Sequence, residues 1–381
     1  MDSIFFILLS FKDIKRLTEM LHINIFQYLT LILFLTLTPS LISGQEKTVV
    51  SIEGDQFYIN GQLTYQGRYW KGNKIEGLLF NSRMVQGIFD DLNPETVGGF
   101  KYPDTQKWDP DRNTNEFIDA MSDWKNHGLL AFTLNLQGGS PVGYGNSGWI
   151  NSAFDKKGDF LPAYMGRLEK ILNKADDLGM VVILGYFYFG QDQLLEDEQA
   201  VLNATDNITS WILQKGYRNI LIEVNNECNV RYDHAILQPE RVHELIKRVQ
   251  EKSDHKLLVG TSYGGGVIPK SNVVQASDYL LLHGNGVKVP ARIIEMVEQT
   301  KSVEGYTSKP ILFNEDDHFD FDKAENNFFS AIKAYASWGY FDYRMENEGF
   351  EDGYQSVPVD WGINSLRKKD FFEKLKEVTG Y

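Results

Sequence analysis

Two apolar runs in this chain end abruptly in amides and carboxylates, the side chains of acid–base chemistry. One reads Ile-Leu-Ile-Glu-Val-Asn-Asn-Glu from Ile220 to Glu227, the other Ile-Leu-Phe-Asn-Glu from Ile311 to Glu315. In the first, Ile220, Leu221, Ile222 and Val224 are what a buried strand needs, and Glu223, Asn225 and Glu227 fall at spacing two, on one face. An interior carboxylate has to be paired, so Glu223 reads as a satisfied core ion. Glu227 and Glu315 differ, because each stands where the chain leaves the core and a side chain can meet a ligand. The Asn-Glu pairs at Asn115-Glu116 and Asn347-Glu348 fall instead on a helical pattern and in a polar loop. Two carboxylates facing each other over a cleft can break a glycosidic bond without metal or cofactor. One acid protonates the leaving oxygen, and one carboxylate attacks or activates water.

Something must hold those endings side by side, and the rest of the chain supplies it. Strand-like runs begin at Met84, Leu129, Met180, Asn219, Lys256, Tyr279, Pro310 and Tyr340. Helical patterns lie between them, near Thr114 to His127, Pro162 to Leu178, Glu198 to Lys215, Pro239 to Lys252, Ala291 to Thr300 and Lys323 to Trp338. Alternation of this kind requires parallel strands with crossover helices, and eight repeats over roughly 260 residues fit a closed (β/α)₈ barrel. An open dinucleotide-binding sheet loses support, because Gln86-Gly-Ile-Phe-Asp-Asp is not a Gly-x-Gly-x-x-Gly fingerprint. Before the barrel, alternating residues around Gly54-Asp55 and Asn60-Gly61 predict a short N-terminal β-hairpin. No linker or internal repeat divides residues 46–381, which read as a single catalytic domain.

In a barrel the site lies at the C-terminal ends of the strands. Strand one would offer Gln86, Asp90 and Asp91. Strand two offers Asn135 and Gln137, strand three Tyr186 and Tyr188, strand four Asn225, Asn226 and Glu227, and strand five Ser262 and Tyr263. Strand six offers His283 and Asn285, and strand seven Asn314 and Glu315. Tyr144 and Trp149 sit in a long loop of turn-formers after strand two. Sugar faces stack on flat rings, and Tyr144, Trp149, Tyr186, Tyr188 and Tyr263 are the aromatic candidates, although aromatics also fill cores.

At this point the arrangement resembles the clan A retaining glycoside hydrolases, the barrel superfamily of many cellulases and mannanases. Ile222-Glu-Val-Asn-Asn-Glu is similar to the strand-four motif of that clan, and Ile311-Leu-Phe-Asn-Glu to its strand-seven motif. The resemblance implies Glu227 as acid/base, Glu315 as nucleophile and Asn226 as a ligand of the sugar hydroxyl beside the reacting carbon; a nucleophile kept ionised needs hydrogen-bond donors, for which Asn314 and His283 are the candidates. Glu227 would then hold its proton at working pH, and Glu315 would stay ionised. His283 matches the histidine of a His-x-Tyr pattern, with Asn285 in place of the tyrosine. Other departures mark an outlying family: Cys228 follows the acid/base where proline is common, strand two ends without an arginine, and strand eight has no clear terminal tryptophan.

Composition limits the alternatives. The chain has 381 residues, 42% hydrophobic and 24% charged, with a net charge of -14. It has no basic cluster of the kind that tracks nucleic-acid phosphates. The one cysteine, Cys228, excludes an internal disulfide and a cysteine-based zinc site. Residues 1–45 read as a signal peptide: Lys12, Lys15 and Arg16 precede the apolar run Leu29 to Leu37, then Pro39, Ser40 and Ser43-Gly44. The run is short for a membrane span, so the expectation is export to the periplasm, cell surface or exterior, without stable membrane insertion after cleavage. The expected partner is a carbohydrate substrate. Two rival readings are a metal-dependent barrel hydrolase or lyase, using Asn314-Glu-Asp-Asp-His with His283 and His234, and an inactive carbohydrate-binding barrel.

Overall fold

The computed structural model describes residues 47–144 and 148–381, together with Lys12, Arg16 and Glu19 as exposed helical positions. The expected signal-peptide core lies outside the described residues. Residues 47–381 form one compact unit, which carries all that follows. No described helix is long and apolar enough to cross a membrane.

The N-terminal hairpin is present and consists of three short strands. Val50–Glu53, Gln56–Ile59 and Gln62–Leu63 form an antiparallel sheet. Its second turn is Asn60-Gly61, with φ of 53° and 73°, the pair of positive angles a tight hairpin favours. The sheet lies at the N-terminal end of the barrel, where Val50 N–H donates to the Arg218 carbonyl just before a barrel strand.

Eight parallel strands make the barrel: β1 (Asn81–Arg83), β2 (Ala131–Asn135), β3 (Val181–Tyr188), β4 (Ile220–Asn226), β5 (Leu258–Gly260), β6 (Leu280–His283), β7 (Ile311–Glu315) and β8 (Gly339–Tyr340). Ladders run from β8 through β1 to β5, and from β6 to β7. The two arcs join where Asp278 N–H donates to the Val259 carbonyl and Phe313 N–H to the Ser337 carbonyl, each at 2.9 Å. Gly339 permits the closure of β8 on β1, since a Cβ there would lie 2.3 Å from Asn81 Oδ1.

A helix follows every strand: α1 (Pro110–Asn126), α2 (Pro162–Leu178), α3 (Glu198–Lys215), α4 (Val242–Lys252), α5 (Ser271–Ala276), α6 (Pro290–Lys301), α7 (Asn327–Lys333) and α8 (Leu366–Thr379). Their limits follow from local chemistry. The Asp109 and Asp197 carboxylates cap α1 and α3, satisfying N–H groups that have no partner inside the helix. Gly179 and Gly216 end α2 and α3 in left-handed conformations that glycine adopts without penalty. On α1, Phe117, Met121 and Trp124 recur at helical spacing and are fully buried.

Three expectations need correction. The first barrel strand is Asn81–Arg83, upstream of the apolar run from Met84, which forms a 3₁₀ turn over Val85–Ile88. Asn113 Nδ2 and Thr114 Oγ1 of α1 take the Gln86 and Gly87 carbonyls, both at 2.8 Å, so this backbone pairs with a helix and not a strand. The stretch Lys323 to Trp338 holds only the short α7, and Trp338 belongs to the barrel wall, donating to Asp316 Oδ2 at 2.9 Å. Helices α5 and α8 were not anticipated.

Candidate active site

The C-terminal ends of the strands open into a cleft of about 910 Å³. Glu227 and Glu315 both line it, with Arg83, Tyr144, Trp149, Tyr188, Asn285 and Phe341 among the other walls. Glu227 is the first residue beyond β4, and its φ of +53° takes the chain out of the pleat. Few glutamates adopt this left-handed conformation. It is held because Glu227 N–H donates to Ser262 Oγ and Cys228 N–H to the Ser262 carbonyl, both at 2.9 Å.

His283, fully buried at the end of β6, stands between the two carboxylates. Its Nδ1 lies 3.0 Å from Glu227 Oε1 and 3.4 Å from Glu315 Oε2. Glu315 accepts a hydrogen bond at Oε1 from Asn285 Nδ2 at 2.8 Å, and at Oε2 it forms an ion pair with Arg83, whose Nε lies 3.1 Å away without hydrogen-bond alignment. One oxygen of each carboxylate and His283 Nδ1 all lie within 4.8 Å of one another.

Burial disfavours charge on all three groups, and their mutual fields decide the outcome. Burial lowers the affinity of His283 for a proton, but Glu315 and Glu227 more than offset this and hold its pKa above the ordinary histidine value. Burial also pushes Glu227 up, yet the His283 hydrogen bond and the charges of His283 and Arg83 bring it below the ordinary carboxylate value. For Glu315 burial dominates the pull of Arg83 and His283, and repulsion from Glu227 and Glu223 adds to it, so its pKa is raised. These fields tie the protonation of Glu227, His283 and Glu315 to one another, so the three groups titrate as a set.

The remaining predicted residues divide. Trp149, Tyr188 and Asn285 reach the cleft wall, as Tyr144 does. Asn226 is buried beside it, its carbonyl accepting from Tyr232 OH at 2.6 Å and its Oδ1 without a partner among the described residues. Five others serve the scaffold. Tyr186 pairs with Thr209 of α3 at 3.3 Å, on the helix side of the sheet. Tyr263 is buried beside Cys228. Gln137 braces its loop through Ser152 and the Gln191 carbonyl. Asn135 is buried where a side chain on Gly185 would collide with it. Asn314 donates to Glu223 Oε2 at 3.3 Å and not to Glu315. For Tyr186 the reason is that β-strand side chains alternate between faces, which turns it to the helices, whereas Asn314 faces the barrel interior beneath the cleft, where Glu223 takes its amide. The expected common face of β4 fails likewise: Glu223 meets Ser262 and Asn314, whereas Asn225 meets Thr261 and the Leu237 carbonyl.

Gln86, Asp90 and Asp91 brace loops. Gln86 donates to the Gly139 carbonyl, Asp90 accepts from Trp108 Nε1, and Asp91 accepts from Thr96 Oγ1. Cys228 is buried and does not line the cleft, and burial pushes its thiol pKa up.

The sequence reading missed Arg83, which supplies from β1 the guanidinium sought on strand two. A cation inside the apolar stretch Leu78 to Val85 was the available signal. It also missed Phe341, directly after β8, which takes a place on the cleft wall where a terminal tryptophan was sought.

Among the described residues two clusters have spacing suited to a metal: Glu227, His283 and Glu315, and Asp316, Asp317 and His318. In the second, protein donors already satisfy the carboxylates. Asp316 accepts from Trp338, Asn327 and His318, and Asp317 from Gly286 N–H and Tyr144 OH. His234 bonds the Asp192 and Leu195 carbonyls.

The sequence matches no protein-family model and no curated protein. Among solved structures it is similar to a glycoside hydrolase family 5 mannosidase from Rhizomucor miehei, at 12% identity and a TM-score of 0.54, over 87% of this chain and 97% of that one. A β-mannanase from the blue mussel Mytilus edulis is similar at 11% identity and a TM-score of 0.50, over 87% and 96%. A family 5 glycoside hydrolase from Bacteroides vulgatus gives 12%, 0.51, 83% and 68%. At these identities the likeness establishes the fold, and the fold is the (β/α)₈ barrel.

Proposed function

We propose that this chain is a glycoside hydrolase that cleaves a polysaccharide or oligosaccharide with retention of configuration, Glu227 acting as acid/base and Glu315 as nucleophile. One observation carries the reading: two carboxylates at opposing strand ends of a barrel, with oxygens within 4.8 Å of each other, in an aromatic-walled cleft. Retaining pairs stand about 5–5.5 Å apart and inverting pairs beyond about 6.5 Å, with room for a water.

In the first step Glu315 attacks the anomeric carbon while Glu227 gives its proton to the departing oxygen. Water then enters, Glu227 removes its proton, and the glycosyl–Glu315 ester is released. Arg83 and Asn285 hold the Glu315 carboxylate and stabilise its charge. The 3.0 Å bond between His283 Nδ1 and Glu227 Oε1 fixes the position of the acid/base carboxyl. The layout of residues 1–45 supports export, which would bring such an enzyme to external glycans.

A metal-dependent reaction at Glu227, His283 and Glu315 is the second reading, favoured by their spacing. Against it, the Arg83 guanidinium already places a positive charge 3.1 Å from Glu315. Activity should therefore survive a chelator. The direct test uses activated aryl glycosides and a glycan panel, comparing wild type with Glu227→Ala and Glu315→Ala. Added azide should restore turnover as an azido-sugar in at least one variant, and two fully active variants would refute the assignment.

A further inference from the structure

Glu223 is fully buried in the barrel and takes no part in the two-carboxylate reaction, yet its hydrogen bonds lead to both partners. Its Oε1 accepts from Ser262 Oγ at 2.5 Å. That same Oγ accepts the backbone N–H of Glu227 at 2.9 Å. A serine hydroxyl has one proton and two lone pairs. An acceptor-only carboxylate on one side commits the proton there and leaves a lone pair for Glu227. The other oxygen, Oε2, accepts from Asn314 Nδ2 at 3.3 Å, and Asn314 immediately precedes Glu315. One buried carboxylate thus ties β4, β5 and β7 together beneath the cleft.

The conformation of Glu227 shows why this matters. A left-handed glutamate persists only where its surroundings over-determine it, and at Glu227 the acceptor of the N–H is Ser262 Oγ, itself oriented by Glu223. We propose that Glu223 is a positioning residue that sets the spacing of Glu227 and Glu315 by holding the backbone of the first through Ser262 and the strand of the second through Asn314. The proposal rests on the reading of Glu227 and Glu315 as the reacting pair.

Glu223→Gln and Glu223→Ala separate this role from bulk packing, with Ser262→Ala as a smaller change should the alanine variant fail to fold. Glutamine keeps an acceptor for Ser262, and its Nε2 can donate to Asn314 Oδ1, which has no partner now, once the Asn314 amide turns over. Glu223→Gln should therefore retain most of kcat. Glu223→Ala and Ser262→Ala should lose kcat by about 100-fold, the scale of a 1 Å misplacement, with KM nearly unchanged. Crystal structures of the two alanine variants should show Glu227 leaving positive φ and the carboxylate oxygens moving beyond their present 4.8 Å limit. A folded alanine variant with wild-type kcat, or with Glu227 φ and the spacing unchanged, would overturn the proposal. The crystallographic readout needs no turnover: a wild type inactive on every glycan, with spacing that still moves in the variants, would refute the glycosidase reading alone.

Discussion

Replacing Arg83 by methionine removes a buried cation while keeping most of its volume. Arg83 and Glu315 side chains are 1% and 6% exposed, with Nε 3.1 Å from Oε2. Breaking such a buried pair by removing one member costs ~3–5 kcal/mol, because it strands the other charge. Glu315 can escape by taking a proton, so the cost is read as a rise in its pKa. At ~1.4 kcal/mol per unit this is about 2–4 units, added to a pKa that burial already raises. The nucleophile works only when ionised, and the acid limb of kcat/KM reports its pKa in the free enzyme. That limb should move to higher pH by about 2–4 units in Arg83→Met, and much less in Arg83→Lys. Stability must follow the same linkage. A carboxyl with a raised folded-state pKa costs nothing below its unfolded value of about 4.3 and accumulates its cost as pH rises toward the folded value. The denaturation free energies of wild type and Arg83→Met should therefore run parallel until the pH passes the raised wild-type pKa of Glu315, and diverge above it. An unmoved acid limb, or a pH-independent stability loss, would refute the argument.

Two further changes probe neighbouring groups. Asn285→Ala deletes the 2.8 Å donor to Glu315 Oε1; hydrogen bonds to charged groups contribute ~1.5–3 kcal/mol, so kcat/KM should fall about 10- to 100-fold, and an unchanged value in steady-state assays would show that the bond is idle. His318 lies between Asp316 and Asp317, whose hydrogen bonds raise its pKa to about 10. A raised histidine contributes stability that is complete below its unfolded pKa of about 6.5 and lost as pH rises through the folded value. Wild type should therefore lose about 1–2 kcal/mol, after allowance for solvent screening, between pH 6.5 and 10 in chemical denaturation. His318→Gln should lack this loss, and parallel pH profiles would count against the pairing.

How much of this was legible beforehand depends on the kind of interaction. The limits of α2 and α3 match the sequence reading residue for residue, because end-capping and apolar periodicity act over a few neighbours. The hairpin turn at Asn60-Gly61 is local in the same sense. Strand one was displaced because the run from Met84 has an apolar pattern but gives its carbonyls to Asn113 and Thr114, more than twenty residues away. Tyr186 was placed in the cleft because nothing in its neighbours reveals that Thr209 lies on its side of the sheet.

The sequence by itself determined that strands and helices alternate around a barrel and that Glu227 and Glu315 end two of its strands, since both follow from side-chain pattern and from where an apolar run stops. Only the tertiary structure decided that Arg83 meets Glu315, that His283 stands between the carboxylates, and that Glu223 reaches both through Ser262 and Asn314. Those contacts join residues from strands far apart in the chain, and they exist only because the barrel closes. The proton affinities of the pair depend on the same closure, because burial and the fields of neighbouring charges set them and neither is a property of residues taken in order.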